Sequence, residues 1–382
     1  MLKPLVAFVV FPLLTASALG AEKKSVDTMR ADGGATAGRK QGVWGVIVDP
    51  ATVTPRQVRA WKDSGVSMVV VILDEEHKPE AYNTAAKAAS AGPLELFYWV
   101  EVARNRRMAS EHPRWMAALG MHDDWQKRFP DSARPGESEI AKAFPWVPIT
   151  YREAYDAHLA RIEGLLAERA AAPYAGVLLN DLQAGPSSCG CGSLLCRWAT
   201  DYNVESTATK QDGDDVASRF TAEVRKLATG KSVVPVWTTE CEDIDLPKKL
   251  APSGRSTHLC GSVPCANTTC PKGFTKQWTA LLKDYSGPVG VLALEKELER
   301  DSAHAQVTSW IPRAVDYLDT VPPKNGGTSI PHERLWLVIQ GYNLSADEQS
   351  AARKAAAQCG TGAVLEALVP ISQSYEPRII AR

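Results

Sequence analysis

The feature that most limits how this chain can fold is a repeated alternation of short apolar runs with helix-like segments, from Val43 to Val369. The runs are Val43–Val48, Val66–Leu73, Leu94–Val102, Ala175–Leu179, Ser232–Trp237, Pro288–Leu294, Leu335–Ile339 and Ala363–Val369. The second is β-branched and unbroken, as expected of a strand buried on both faces. Between the runs lie helix-like stretches at Pro55–Ser64, Pro79–Ala91, Tyr151–Ala170, Asp214–Leu227, Thr275–Asp284, Trp310–Leu318 and Ala346–Gln358. The first has a proline near its start, where a helix tolerates one. Strands alternating with helices imply parallel βαβ units. Eight strands fit an α/β fold of the (β/α)8 barrel type, the TIM barrel, over residues 42–382, with a doubly wound open sheet as the alternative. No Gly-x-Gly-x-x-Gly follows the first run, so a dinucleotide-binding version of that alternative loses its main support.

Residues 1–21 open with a short basic start, continue through the apolar run Leu5–Leu14 and end in the small residues Ala18-Leu19-Gly20-Ala21. This is the pattern of a cleaved signal peptide, and the apolar run is short for a membrane span. The mature protein is therefore expected to be exported, periplasmic or extracellular, with no membrane span. Residues 22–41 are polar and glycine-rich and read as a disordered linker. Basic and acidic residues balance at 43 and 44, with no basic stripe, which argues against nucleic acid as a partner.

In a barrel the loops that follow the strands lie at the C-terminal face, where such enzymes place their chemistry. The long connections here, residues 103–150, 182–213 and 238–274, all follow strands, so the expected face is a decorated one. The strand ends carry Asp49; Asp74, Glu75 and Glu76; Trp99, Glu101 and Arg104; Asn180, Asp181 and Gln183; Trp237, Glu240 and Glu242; Glu295 and Glu297; and Gln340, Tyr342 and Asn343. Carboxylates and aromatic rings around one mouth suit carbohydrate chemistry. Glycosidic cleavage needs one carboxylate as nucleophile or base and one carboxylic acid to protonate the leaving oxygen. No organic cofactor and no metal is required. The bland readings are that Asp181 caps a turn, that Asp49 before Pro50 is a turn residue or a sugar contact, that Glu101 pairs with Arg104, and that Glu75 and Glu76 lie on a solvated loop. Gly-x-Ser-x-Gly and His-Glu-x-x-His are both missing from the sequence.

Seven of the eight cysteines, Cys189, Cys191, Cys196, Cys241, Cys260, Cys265 and Cys270, fall between residues 189 and 270. In an exported chain they are disulfide candidates that would tie the loop after strand four to the loop after strand five. Thiolate–metal coordination is the alternative, although neither group shows the Cys-x2-Cys spacing of structural zinc sites. Cys359, in an apolar helix-like context, reads as a buried free thiol.

With these features the chain resembles the superfamily of glycoside-hydrolase-like TIM barrels. In the clan that uses two glutamates, strand four ends in Asn-Glu and strand seven supplies a Glu. Here the corresponding residues are Asn180-Asp181 and Gln340-Gly341-Tyr342. A strand-four aspartate is more similar to barrels related to α-galactosidases and α-amylases. That resemblance implies Asp181 as nucleophile and Glu295 or Glu240 as the acid. Asp49, Trp99, Glu101, Asn180, Trp237, Gln340 and Tyr342 would then contact a carbohydrate substrate. The rival expectation is a non-catalytic barrel that binds glycans or a protein through the same mouth.

Overall fold

In the computed structural model, described for residues 42–116, 136, 145–182, 215–238, 274–293, 311–312, 315, 318–319 and 328–371, all eight apolar runs are strands. They are β1 (Val43–Val48), β2 (Met68–Ile72), β3 (Glu95–Glu101), β4 (Gly176–Asn180), β5 (Ser232–Thr238), β6 (Val289–Ala293), β7 (Leu335–Gln340) and β8 (Ala363–Ala367). Each pairs in parallel with its neighbours in sequence, and β8 closes on β1. The closed sheet excludes the open, doubly wound alternative.

The helices are α1 (Pro55–Asp63), α2 (Pro79–Ala91), α3 (Arg106–Glu111), α4 (Arg152–Glu168), α5 (Val216–Leu227), α6 (Phe274–Asp284) and α7 (Ala346–Gln358). Local chemistry sets their starts. Thr54 caps α1 by accepting the Gln57 N–H at 3.2 Å, with Pro55 in the first turn. Ser345 and Glu348 form a reciprocal capping box on α7. The expected helix Trp310–Leu318 is helical at its described positions. No helix among the described residues is long and apolar enough to cross a membrane. Residues 1–41, the cysteines from Cys189 to Cys270, Glu240 and Glu295 lie outside the described residues.

The strand register fixes which side chains meet inside. From Thr238, hydrogen-bonded partners run through Leu292, Val338, Leu365, Gly45 and Met68 to Glu95. Glu95 stands two residues before Phe97, whose partners are Gly176 and then Ser232, so the circuit returns to β5 at Gly230, eight residues below its start. A stagger of eight over eight strands tilts each strand and stacks its inward residues in levels of four from alternate strands. On the odd strands the levels are Gly45, Phe97, Val234 and Trp336; then Ile47, Trp99, Val236 and Val338; and above them, among the described side chains, Asp49, Glu101 and Gln340. The even strands interleave Val70, Leu178, Gly290 and Leu365, and above them Ile72, Asn180, Leu292 and Ala367.

Packing agrees with this sorting. Phe97 and Trp336, opposite each other on the lowest level, meet edge to face with ring centroids 5.4 Å apart. Glycine makes room within the wall: a Cβ on Gly176 would lie 2.7 Å from Phe97 Cε1, and one on Gly290 2.7 Å from Val236 Cγ2. The outward residues, among them Val48, Val71, Val100, Leu179 and Leu337, pack with Trp61 of α1, Tyr82 of α2 and Phe220 of α5 in a second apolar layer. One charge enters that layer. Glu366 on β8 is 3% exposed and takes a bidentate bond from Arg353 of α7 at 2.8 and 2.9 Å. Gly341 leaves it room, since a Cβ there would sit 2.5 Å from Glu366 Cγ.

Candidate functional site

The inner wall changes character at the last level before the C-terminal face. Ile47, Trp99 and Val338 are apolar, but the next inward positions on the same strands are Asp49, Glu101 and Gln340. The period of two along each strand, joined to the stagger, brings these residues to one height.

Glu101 is the best-held carboxylate of the set. Trp99 Nε1 donates to its Oε1 at 2.7 Å, and Asn180 Nδ2 donates to its Oε2 at 3.0 Å. Trp99 is fully buried in the inner core, so its ring closes the barrel beneath the site. Asn180 pairs with Glu101 in the strand register, which explains why its amide reaches the carboxylate. Arg161 of α4 donates to the Glu101 carbonyl at 2.9 Å and forks onto Glu75 at 2.5 and 3.2 Å. Glu75 is therefore anchored, in contrast to the solvated position its sequence context suggested. Trp99 and Asn180, two of the strand-end residues singled out in the sequence, thus direct their donors to Glu101.

Asp181 follows β4, is fully buried and has φ of +61°. That left-handed conformation costs a non-glycine residue about 1–3 kcal/mol, and Asp and Asn bear it best. Its carbonyl accepts from Ala103 N at 3.3 Å, tying the turn to the end of β3. Asn343 makes a similar turn after β7, with φ of +55°. Gln340 is 4% exposed and donates through Nε2 to the Tyr342 carbonyl at 3.1 Å. Tyr342 is buried against the inner core with Ala367 and Ile371. Trp237 lies in β5, its backbone opposite Val291.

Asp49 has a double role that the sequence showed only in part. Its Oδ1 accepts the Ala51 N–H at 2.8 Å, capping the 3-10 turn Pro50–Thr52. Its Oδ2 lies 2.9 Å from His77 Nε2. The other ring nitrogen of His77 is 2.9 Å from Asp74 Oδ1, which also accepts from Glu76 N, His77 N and Tyr82 Oη. Arg169 donates to the His77 carbonyl. Burial alone would lower the His77 pKa, but Asp74 and Asp49 outweigh it and hold the pKa above its ordinary value. With both ring nitrogens on carboxylates, His77 clasps the loops after β1 and β2 and has no nitrogen left for a ligand.

The loop after β3 is anchored at both ends. Asn105 caps α3 through Met108 N at 2.9 Å, and Arg104 bridges Trp146 in antiparallel fashion. His158 of α4, wholly buried, bonds the Val147 carbonyl through Nε2 at 2.8 Å. Burial, aided by Arg161, pushes its pKa down to about 3. The short helix α3 escaped sequence reading because its six residues present too little periodicity.

Among the described residues no group of three or more His, Cys, Asp or Glu side chains is arranged to hold a metal ion. The Cys359 thiol, half-buried at the end of α7, donates to the Ala355 carbonyl at 3.4 Å.

These features define the chain as a (β/α)8 barrel with a polar level under its C-terminal mouth. No protein-family model and no curated protein sequence matches it. Solved structures similar to it include an HpcH/HpaI aldolase from Desulfitobacterium hafniense DCB-2, with 10% identity, 86% of this chain and 87% of that chain covered, and a TM-score of 0.33. A glycoside hydrolase family 20 β-N-acetylglucosaminidase has 10% identity, 90% and 68% coverage and a TM-score of 0.38. Aspergillus clavatus Sph3 in complex with GalNAc has 12% identity, 88% and 92% coverage and a TM-score of 0.36. The neighbours thus span unrelated chemistries, and the barrel assignment rests on the strand pairing itself.

Proposed function

We propose that this protein is an exported glycoside hydrolase acting on an oligo- or polysaccharide, with Asp181 as the catalytic carboxylate and Glu240 or Glu295 as its acid/base partner. The observation that supports the reading is the set of polar strand ends: Glu101 and Gln340 on the last level, with Asn180 on the interleaved level beside Glu101 and Asp181 directly after it, all at the face where barrels carry chemistry. Glycosidic cleavage through two carboxylates would leave Asp181 to attack or to activate water while the glutamic acid protonates the leaving oxygen. A carboxyl separation of about 5–5.5 Å gives retention, and one of about 6.5–9.5 Å gives inversion.

One observation favours a second reading, a barrel that binds glycans without cleaving them. The Asp49 carboxylate is committed to His77 and to the Ala51 N–H, so that part of the mouth is built for rigidity. A screen of glycan substrates with wild type and Asp181→Asn in parallel separates the two. Turnover by wild type and its loss in the variant supports hydrolysis, whereas equal turnover by both, or none by either, leaves the binding barrel.

A further inference from the structure

His77 joins the loops after β1 and β2 with one ring. Its Nε2 lies 2.9 Å from Asp49 Oδ2, and its Nδ1 lies 2.9 Å from Asp74 Oδ1 and 3.2 Å from Asp74 Oδ2. A carboxylate only accepts, so both contacts are hydrogen bonds only while both ring nitrogens carry protons. A neutral imidazole has one N–H, and its other nitrogen then turns a lone pair toward a carboxylate oxygen. The arrangement in the structure is therefore that of the imidazolium.

The two sides of the ring are not equivalent. Asp74 belongs to the same turn as His77, and its Oδ1 also accepts from Glu76 N at 3.0 Å, His77 N at 3.1 Å and Tyr82 Oη at 3.2 Å. Asp74 cannot withdraw from Nδ1 without breaking that turn. Asp49 stands on another strand end. Its Oδ1 accepts the Ala51 N–H at 2.8 Å, while for its Oδ2 His77 is the one hydrogen-bond partner among the described residues. Local geometry thus selects the neutral tautomer that keeps Nδ1–H, and leaves a bare Nε2 facing Asp49.

We propose that Asp49, His77 and Asp74 form a pH-operated latch between the loops after β1 and β2, which opens at the Asp49 side alone. As pH rises, the Nε2 proton passes to solvent; the Asp49–His77 bond is lost and the Asp74–His77 bond stays. The side chains of Asp49, His77 and Asp74 keep 32, 26 and 22% of their surface exposed, so water reaches the proton. The other groups around the ring leave this choice unchanged. Glu75 carries the fork of Arg161, and Arg169 at the end of α4 donates to the His77 carbonyl. Tyr82 of α2 meets the imidazole edge-on at 6.4 Å, and burial raises the pKa of its hydroxyl. Glu76 and Lys78, exposed and opposite in charge, flank the turn. Burial disfavours the charged ring, but Asp74 and Asp49 outweigh it, so the latch opens above the ordinary histidine value of 6.5. A carboxylate at the C-terminal level of β1 is thus committed at acid pH and released at alkaline pH, whatever the barrel binds or cleaves.

The ring-nitrogen resonances of His77, assigned through bonds to its own backbone amide, report the release when followed with pH in the full chain. Nε2 is expected to move to the unprotonated position while Nδ1 stays protonated. Hydrogen exchange, corrected for the intrinsic effect of pH, should quicken at the Ala51 amide through the same titration and stay unchanged at the Glu76 and His77 amides. Asp49→Asn removes one charge and, with its oxygen kept on the Ala51 N–H, turns Nδ2–H toward Nε2. It should therefore lower the His77 midpoint by about one pH unit or more. Loss of the proton from Nδ1, changed exchange at both loops or at neither, or an unmoved midpoint in Asp49→Asn overturns the proposal. If Asp49→Asn does not fold, the wild-type tautomer and exchange decide alone.

Discussion

His158 and His77 respond to pH with opposite signs. His158 is neutral in the folded chain, with its pKa near 3, while an unfolded histidine titrates near 6.5. The unfolded state therefore binds the extra proton as pH falls below about 6.5, and stability declines by up to ~1.4 kcal/mol per pH unit toward pH 3. His77 has its pKa raised by Asp74 and Asp49, so its contribution is complete below the unfolded value and is lost as pH rises through the folded one. Melting temperatures measured across pH should show His158→Gln with a flatter acid side and His77→Gln with a flatter decline above neutrality. A profile unchanged in both variants contradicts these assignments. Neither role was legible in the sequence: His77 follows two glutamates in a loop, and its partners come from two different strand ends.

At the scale of elements, two packing devices carry measurable weight. Gly290→Ala drives a methyl toward Val236 on the neighbouring strand, and overpacking of this kind costs about 1–3 kcal/mol. Arg353→Met strips the partner from a carboxylate buried among apolar strand faces. Because the Arg353 side chain keeps about a third of its surface in water, the expected loss is about 2 kcal/mol, below that for a fully buried pair. Denaturant midpoints of the two variants test both values, and a stability equal to wild type refutes the packing described. The strands themselves were readable, because parallel strands buried on both faces leave unbroken runs such as Met68-Val69-Val70-Val71-Ile72. The Arg353–Glu366 pair was not, since Glu366 within an apolar run gives no hint of which helix faces it.

For the molecule as a whole, the stagger of the strands does what no local pattern can. It brings Glu101 and Gln340, more than two hundred residues apart, to one height above the ring of Trp99. Sequence reading found each as a strand-end residue, and it found Asn180-Asp181 by the abrupt end of an apolar run. It could not find their common level, because height in a barrel depends on the register of every intervening strand. Nor could it foresee that Asn180 and Trp99 would spend their donors on Glu101.

The central claim is that function lies at the C-terminal level of this barrel, and one strand offers the comparison. β3 carries Glu95 at its exposed beginning and Glu101 at its C-terminal end. On whichever glycan wild type cleaves, initial rates of Asp181→Asn, Glu101→Gln and Glu95→Gln should be measured side by side. The account predicts losses of about 10²- to 10⁴-fold for Asp181→Asn and a clear loss for Glu101→Gln, with Glu95→Gln at the wild-type rate. Equal rates for all four proteins would contradict it.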